Sequence, residues 1–254
     1  MLRKFVLPVA ILLAVLGIWE AAVYLFDIKR FILPAPSSIM LTVFEERASL
    51  LRHSWVTLQE MLLGFILAIL VGIPLAVLMF EFPILGRAFY PYVIGSQTVP
   101  VFAIAPLLVI WFGFGIASKV IMAAIIVFFA IVLSTMEGLK SADSDTVNLF
   151  RILHATRWQI LWKVRIPSAL PFIFSGAKIG ISISTIGAVI GEWVGASAGL
   201  GFLMLYANAQ HRYTLVFAAI FCLTLMGLGL FVIMSLLERF AMPWRQHQRN
   251  ISDI

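Results

Sequence analysis

The chain has 254 residues, of which 62% are hydrophobic and only 12% are charged. Soluble domains are about 45–50% apolar and about 25% charged, so this composition indicates a membrane protein and excludes a disordered chain. The single cysteine, Cys222, excludes a disulfide scaffold, and the net charge of +6 fits the excess of Lys and Arg in cytoplasmic loops better than nucleic-acid binding.

Six segments are long and apolar enough to cross a bilayer as helices, for which about 20 residues are needed. They are residues 5–26, 61–80, 94–114, 120–136, 172–194 and 215–237. The first follows Arg3 and Lys4, as the core of a signal peptide would, but no A-x-A cleavage site follows it and we expect a retained helix. The sequence therefore predicts an all-α fold, a multi-pass membrane protein with about six transmembrane helices.

The distribution of Lys and Arg predicts which side of the membrane each connection faces. With a cytoplasmic N-terminus, 12 of the 18 Lys and Arg residues fall on the cytoplasmic side, as the positive-inside rule requires. Six crossings then place the C-terminus in the cytoplasm as well. We divide the chain into a first transmembrane helix with an external interfacial segment, 1–54, a transmembrane domain, 55–240, with a cytoplasmic loop at 137–171, and a cytoplasmic tail, 241–254.

Residues 27–58 form a long external connection. Within it, the stretch from Leu33 to Ser38 places prolines before hydroxyl side chains, a pattern that starts helices. We expect an interfacial helix there, capped by a serine.

The cytoplasmic loop predicts two short amphipathic helices joined by a sharp turn. Cap residues at 143–145 precede a helix at 146–153, residues 154–156 break it, and a second helix follows at about 157–165. Pro167 and Pro171 are expected to end the second helix. The rings of Phe150, Trp158 and Trp162 would then either fill a partner's groove or pack against the membrane ends of the spans.

This loop resembles the "EAA" loop of permease subunits of bacterial ABC importers that use a binding protein. In that family the loop has a Glu-Ala-Ala start, a glycine turn and an Ile-x-Leu-Pro end. The proline end is similar here, in Val164-Arg165-Ile166-Pro167, whereas Asn148-Leu149-Phe150 stands at the acidic start and His154 at the glycine. Histidine tolerates a positive φ better than most residues, so we expect the turn to be kept.

Further motifs resemble the branch of this family that imports nitrate, sulfonates, taurine and thiamine precursors. They are LPAPS at 33–37, WFGFG at 111–115 and GEWVGASAGLG at 191–201. The stretches 96–106 and 191–208 are most similar to permeases for hydroxymethylpyrimidine, a thiamine precursor. The resemblance thus implies an importer of that pyrimidine, with alkanesulfonate, taurine or nitrate as the alternative substrates.

The resemblance also implies an architecture and partners. The fold would be that of a type I ABC importer permease in the bacterial cytoplasmic (inner) membrane, homodimerised around a translocation path. Two copies of an ABC ATPase subunit would dock on the cytoplasmic loop, and an extracytoplasmic substrate-binding protein would deliver the solute. The residues implied in coupling to the ATPase are Asn148, Phe150, His154, Ala155, Arg157, Trp158, Trp162, Arg165 and Pro167.

Polar and proline residues inside the spans are candidates for the path. Prolines free backbone carbonyls, which are tolerated in a membrane where they are buried or line a cavity, so the third span is either a path wall or a kinked packing helix. Glu192 is either an intramembrane functional group or a hydrated residue at the outer mouth, and Glu20, Glu60 and Lys178 allow edge-of-membrane interpretations. The candidate path residues are Gln97, Pro100, Pro106, Glu192, Trp193 and Asn208.

Small residues recur at helical spacing in the fifth span. One row is Gly187, Gly191, Gly195 and Gly199, and a second contains Gly176, Gly180, Ser184 and Ala188. Small residues four apart let helices approach closely. The two rows predict two contacts, either both within the chain or one of them with a dimer partner.

The residues themselves leave two classes of substrate open. Lys119 and Arg212 near the outer mouth would favour an anion, whereas Gln97, Asn208 and the rings of Trp111, Trp193 and Tyr206 suit a neutral heteroaromatic molecule, unless these rings only anchor the helices at the interface. A neutral pyrimidine agrees with the resemblance.

The sequence gives no sign of an enzyme. It contains no G-x-x-x-x-G-K-[ST] motif, so we expect ATP hydrolysis by a partner subunit and not by this chain. The four histidines are scattered without metal-ligand spacing, and we expect no metal or other cofactor. The alternative from another class, a stand-alone secondary transporter, usually shows two related halves, and we find no convincing internal repeat.

Overall fold

The computed structural model describes residues 2–243, with side chains from Val6 onward, and the predicted tail at 241–254 lies mostly outside them. Within this part of the chain the structure is all α, as predicted, and contains no strand. The helices are α1 (Leu2–Leu25), α2 (Pro36–Glu45), α3 (Arg47–Glu81), α4 (Pro83–Gly95), α5 (Val101–Phe112), α6 (Ile116–Lys140), α7 (Ser144–Ile152), α8 (Arg157–Ile160), α9 (Ile166–Gly195), α10 (Leu200–Ala209) and α11 (Tyr213–Ala241). A 3₁₀ turn, Ser96–Thr98, follows α4, and a π-helical segment, Leu161–Arg165, joins α8 to α9.

Five of the described helices are long and apolar enough to span a membrane: α1, α3, α6, α11 and the continuous helical stretch Arg157–Gly195. The third predicted span, 94–114, for which the prolines indicated an interrupted or kinked helix, has other bounds and a sharp bend in the structure. It consists of Pro83–Thr98 and Val101–Phe112, two segments bent by 101° at Val99–Pro100. Counted as one broken span, this pair brings the total to six.

The chain divides into two compact units. The first comprises residues 1–57 and 197–225, with α1, α2, α10, the beginning of α3 and the beginning of α11. Here α10 is capped from α3: His53 Nδ1 accepts a hydrogen bond from the Gly199 amide at 3.0 Å, and Thr57 Oγ1 accepts one from Leu200 at 2.8 Å. Two backbone donors at the first turn of α10 are thereby satisfied inside an apolar region.

The predicted external helix is present as α2, but its cap is not the expected serine. Ala35 is the N-cap residue and Pro36 occupies the first turn. Glu20 of α1 supplies the cap: its Oε2 accepts from the Ser37 amide at 3.0 Å and its Oε1 from Ser37 Oγ at 2.6 Å. A carboxylate at a helix N-terminus is stabilised by the helix dipole, which gives Glu20 a structural partner.

The second unit comprises residues 58–196 and 226–254 and has α6 at its centre. Phe65 of α3, Val127 and Ile131 of α6 and Ile181 of α9 are buried in one apolar cluster. On α9, Lys178 Nζ forms an ion pair of 2.6 Å with Glu238 of α11. Lys178 is therefore paired within the protein, where the sequence suggested only that it reaches towards the membrane surface.

The small-residue rows of α9 pack against α6 within this unit. A Cβ added at Gly187 would lie 2.5 Å from the Cα of Ala123, and one at Gly176 would lie 2.5 Å from Ser134 Cβ. Both contacts are therefore with α6 of the same chain. Such small residues let two backbones come close enough for continuous dispersion contact.

Candidate functional site

The cytoplasmic loop begins with a well-formed helix cap. The Asp143 carboxylate accepts hydrogen bonds from the Thr146 amide at 3.0 Å and Thr146 Oγ1 at 2.6 Å, and a longer one from the Asp145 amide. These bonds, led by the Thr146 hydroxyl, hold the pKa of Asp143 below its ordinary value. Of the three cap candidates at 143–145, Asp143 is the N-cap of α7.

The turn after α7 has the left-handed residue that the alignment with a glycine predicted. His154 has φ +59°, its amide donates to Arg151 O at 3.0 Å, and the Ala155 amide donates to Phe150 O at 2.9 Å. This pair of bonds is the Schellman arrangement that ends helices, usually with glycine in the left-handed position. The turn is thus formed with histidine in place of glycine.

The second half of the loop differs from the predicted helix ended by prolines. Thr156 and Gln159 form a capping box that starts α8, but a π-helical segment follows and continues directly into α9. Pro167 is the second residue of α9, directly after the π-helical segment, and Pro171 lies further inside α9. Neither proline ends the helix, so our prediction was wrong there.

Arg165 fastens this segment to the transmembrane helices. Its Nη1 donates to Leu139 O, at the end of α6, at 3.0 Å, and its guanidinium lies 4.6 Å from the centre of the Phe80 ring on α3. Both contacts satisfy the cation inside the subunit. Arg165 therefore positions the loop, and it is not a free charge on its surface.

The exposed apolar residues of the loop are only partly those that the sequence suggested. Trp158 and Trp162 are exposed to 56% and 64%, whereas Phe150 is half-buried against Val147, Ile160 and Val164. Sequence reasoning missed a stripe on α7 that consists of Leu149, Ile152 and Leu153, all more than half exposed. The sequence did contain the signal for this stripe, because Ile152 and Leu153 follow Leu149 by three and four positions, a spacing that places side chains on one face of a helix. Asn148 and Arg157 are exposed beside these residues.

The break in the third span brings several predicted path residues to one place. Gln97 lies in the 3₁₀ turn and Pro100 is the N-cap of α5, and both are exposed. Pro106, also exposed, lies inside α5 without breaking it. The backbone is extended at Val99 and Pro100, so the regular helical hydrogen-bond pattern is interrupted between the two segments.

The outer end of α9, as oriented by the Lys and Arg distribution, carries an aromatic pair. The ring of Trp193 lies 6.2 Å from that of Phe102 on α5, at an interplanar angle of 37°, and both are exposed. The neighbouring Glu192 is only 1% exposed and is hydrogen-bonded to the carboxyl group of Glu60. It is thus enclosed by protein and does not present its carboxyl to solvent at a mouth.

The two basic residues suggested for the outer mouth differ in how accessible they are to an anion. Lys119 is 2% exposed and its Nζ donates to Phe114 O at 2.5 Å, Gly115 O at 3.0 Å and Gly195 O at 2.5 Å. In the first unit, Arg212 forms an ion pair with Glu46. The three donors of Lys119 are thus satisfied by the chain, whereas the Arg212 side chain is 45% exposed and has further donors.

The remaining predicted residues have separate positions. Gly191 and Gly195 lie on the face of α9 towards Lys119 and Phe114. Gly199, with φ +112°, is the N-cap of α10, and Asn208 is exposed near the end of that helix. Within the described residues no group of three His, Cys, Asp or Glu side chains is placed to hold a metal ion.

Comparison with known proteins identifies the class of the chain. Residues 64–242 match the model of the family "Binding-protein-dependent transport system inner membrane component". A solved structure of the MetNI methionine ABC transporter, in an inward-facing conformation, has a chain with a TM-score of 0.67 and 20% identity, covering 77% of this chain and 97% of that one. The fold is thus that of a type I ABC importer permease.

Curated relatives of this chain are named for different substrates. The formylaminopyrimidine permease ThiX of Halalkalibacterium halodurans is 37% identical, covering 95% of this chain and 96% of the relative. The riboflavin permease RibX of Chloroflexus aurantiacus is 37% identical, with 94% and 89% covered. The taurine permease TauC of Escherichia coli is 30% identical, with 95% and 90% covered.

The family match covers well over half of the chain, and the broken span, the pair of short helices α7 and α8 and the apolar helices agree with it. The chain belongs to the binding-protein-dependent transport system inner membrane components, and is a multi-pass permease subunit of an ABC importer that works with an ATPase and a substrate-binding protein.

Proposed function

We propose that this permease imports a neutral pyrimidine precursor of thiamine, of the hydroxymethylpyrimidine type. The observation that carries the proposal is the 37% identity to a formylaminopyrimidine permease over nearly the full length of both chains. A second relative at the same identity is named for riboflavin, which is also a nitrogen heteroaromatic compound.

The site chemistry supports a flat neutral substrate. Phe102 and Trp193 present two exposed rings beside the break in the third span, and Gln97 adds an exposed amide in the same turn. Aromatic faces stack on heteroaromatic rings, and a primary amide both donates and accepts hydrogen bonds. Gln97, Pro100, Pro106, Trp193 and Asn208 are accordingly proposed as path residues.

The alternative substrate class is a small anion, namely an alkanesulfonate, taurine or nitrate. A taurine permease at 30% identity favours it. An anion path, however, needs accessible cations, and Lys119 is buried with its ammonium group bound to three backbone carbonyls. Because Lys119 has no donor left for an anion, we favour the neutral substrate.

Uptake into proteoliposomes tests the substrate. The permease, its ATPase and its binding protein are reconstituted with internal ATP, and radiolabelled hydroxymethylpyrimidine, taurine and nitrate are offered separately. We expect ATP-dependent uptake of the pyrimidine alone. Uptake of taurine or nitrate in preference to the pyrimidine would overturn the substrate assignment, and uptake without the ATPase would overturn the importer mechanism.

We propose further that two copies of the permease surround the path, that two ATPase subunits dock on the cytoplasmic loop, and that both termini are cytoplasmic. The positive-inside distribution and the exposed apolar loop surface support this arrangement. The coupling residues are then Trp158, Trp162 and the α7 stripe at the surface. Asn148 and Arg157 lie beside them, and Phe150, His154, Ala155, Arg165 and Pro167 shape the loop beneath.

A further inference from the structure

Three charged side chains from three helices are buried together in the second unit. Glu60 of α3, Lys119 of α6 and Glu192 of α9 are 3%, 2% and 1% exposed. Within a membrane protein, such groups are costly and mark functional sites unless they compensate one another. None of the three is among the residues that we propose for the translocation path or for coupling to the ATPase.

Small residues bring the three helices to this place. A Cβ added at Gly191 would lie 3.0 Å from the Cα of Lys119, and one at Gly64 of α3 would lie 2.5 Å from the Cβ of Ala123. Glycine on both flanking helices thus lets α3 and α9 approach the same end of α6. The charged cluster results from close packing of the helices and is not a surface feature.

The lysine is bound by backbone carbonyls. Its ammonium group has three donors, and these reach the carbonyls of Phe114, Gly115 and Gly195. Phe114 and Gly115 belong to the connection between α5 and α6, and Gly195 is the last residue of α9. The cation therefore joins these two elements, and its charge acts on the carboxyl groups through space.

The two carboxyl groups require a proton between them. Glu60 and Glu192 are hydrogen-bonded to each other through their side chains. Two ionised carboxylates offer only acceptors, so one of the pair has to carry the hydrogen. With one proton, the cluster of Lys119, Glu60 and Glu192 is electrically neutral, whereas without it a net negative charge would be buried.

Glu60 is the better place for this proton. Its Oε2 is buried and has no hydrogen-bond partner within the described part of the chain. An unpaired carbonyl oxygen of a neutral acid is less costly to bury than an unpaired oxygen that shares a full negative charge. Glu192 then remains the counter-ion of Lys119.

We propose that Glu60, Glu192 and Lys119 form an intramembrane proton-binding site that holds one proton on Glu60. The bound proton neutralises the cluster, and the cluster in turn fixes the α5–α6 connection to the end of α9. The ligand is a proton taken from water.

Infrared spectroscopy of the purified permease tests the site directly. At neutral pH, the wild-type protein should show the carbonyl band of a protonated carboxyl group. The band should disappear in Glu60→Gln and persist in Glu238→Gln, a control that alters a glutamate paired with a lysine. No such band in the wild type, or a band unchanged in Glu60→Gln, would overturn the proposal; the wild-type measurement needs no variant to fold.

Substitution gives a second readout. A glutamine at position 60 keeps an N–H donor towards Glu192, so the yield of folded Glu60→Gln protein should stay within about threefold of the wild type. Glu192→Gln removes the counter-ion of a buried lysine and should lower the yield of folded protein about tenfold or more. The double variant Lys119→Met/Glu192→Gln should recover part of that yield. If the two single glutamine variants behave alike, the proton is not assigned to Glu60.

Discussion

At the scale of single residues, His154 shows how a side chain departs from a family pattern while the backbone keeps it. Its φ of +59° is a conformation that glycine adopts freely and that β-branched residues avoid. We expect His154→Gly to leave the loop intact and His154→Val to destabilise the turn by about 1–2 kcal/mol. Hydrogen-exchange protection of α7 and α8 measures the effect, and equal protection in both variants would contradict it.

Glu60 shows what local sequence cannot reveal. Its position near the start of an apolar run suggested a residue at the membrane edge, yet it is buried beside Glu192, more than a hundred positions away in the chain. Likewise, Lys119 suggested an exposed cation but is bound to carbonyls of α9 and of the α5–α6 connection. These partners are set by helix packing, which a pattern of a few neighbouring residues does not encode.

At the scale of helices, the contact between α6 and α9 depends on the absence of a side chain at Gly187. An added Cβ would lie 2.5 Å from backbone carbon, so Gly187→Ala must separate the helices and should cost about 1–3 kcal/mol. The matched control is Gly229→Ala on α11, where an added Cβ meets nothing within 4 Å and should be neutral or stabilise the helix by up to about 1 kcal/mol. Thermal unfolding in detergent compares them, and equal destabilisation would refute the close contact.

A second prediction at the scale of helices concerns the exposed tryptophans of the loop that we predict to be cytoplasmic. If the ATPase covers this surface, Trp158→Ala should lower the co-purification of the ATPase about tenfold, since buried aromatic anchors contribute about 2 kcal/mol or more to an interface. Trp111→Ala on α5 is the control, because Trp111 is similarly exposed but lies at the other end of its span under the predicted orientation. Equal retention of the ATPase by both variants would argue against docking at the loop.

Helices were predictable where the signal lies within the element itself. Length and hydropathy located the spans, and Asp143 and the break at 154–156 located the loop helices. The prolines indicated an interruption of the third span but not a bend of 101°, since the angle depends on what each segment packs against. The prediction that Pro167 ends a helix failed because a π-helical segment, Leu161–Arg165, leads directly into α9 at this proline.

At the scale of the whole molecule, the predicted topology depends on both the charge distribution and the broken span. Counting the bent pair as one crossing gives six crossings and puts both termini on one side, and the excess of Lys and Arg predicts that this side is the cytoplasm. If the bent pair were a re-entrant loop, the number of crossings would be five and the termini would lie on opposite sides. The side of the membrane on which each terminus lies therefore depends on whether the chain crosses five or six times.

Because the chain has a single cysteine, the orientation of α9 and of the loop before it can be tested by cysteine labelling. In a Cys222→Ser background, Ser144→Cys lies at the start of α7 and Ser197→Cys follows α9, and both positions are exposed. A membrane-impermeant maleimide added to spheroplasts should label Ser197→Cys and leave Ser144→Cys unlabelled, and inside-out vesicles should give the reverse. Because these two positions are separated by one passage of α9, labelling of both from the same side would contradict that crossing, and the inverse pattern would contradict the cytoplasmic placement of the loop.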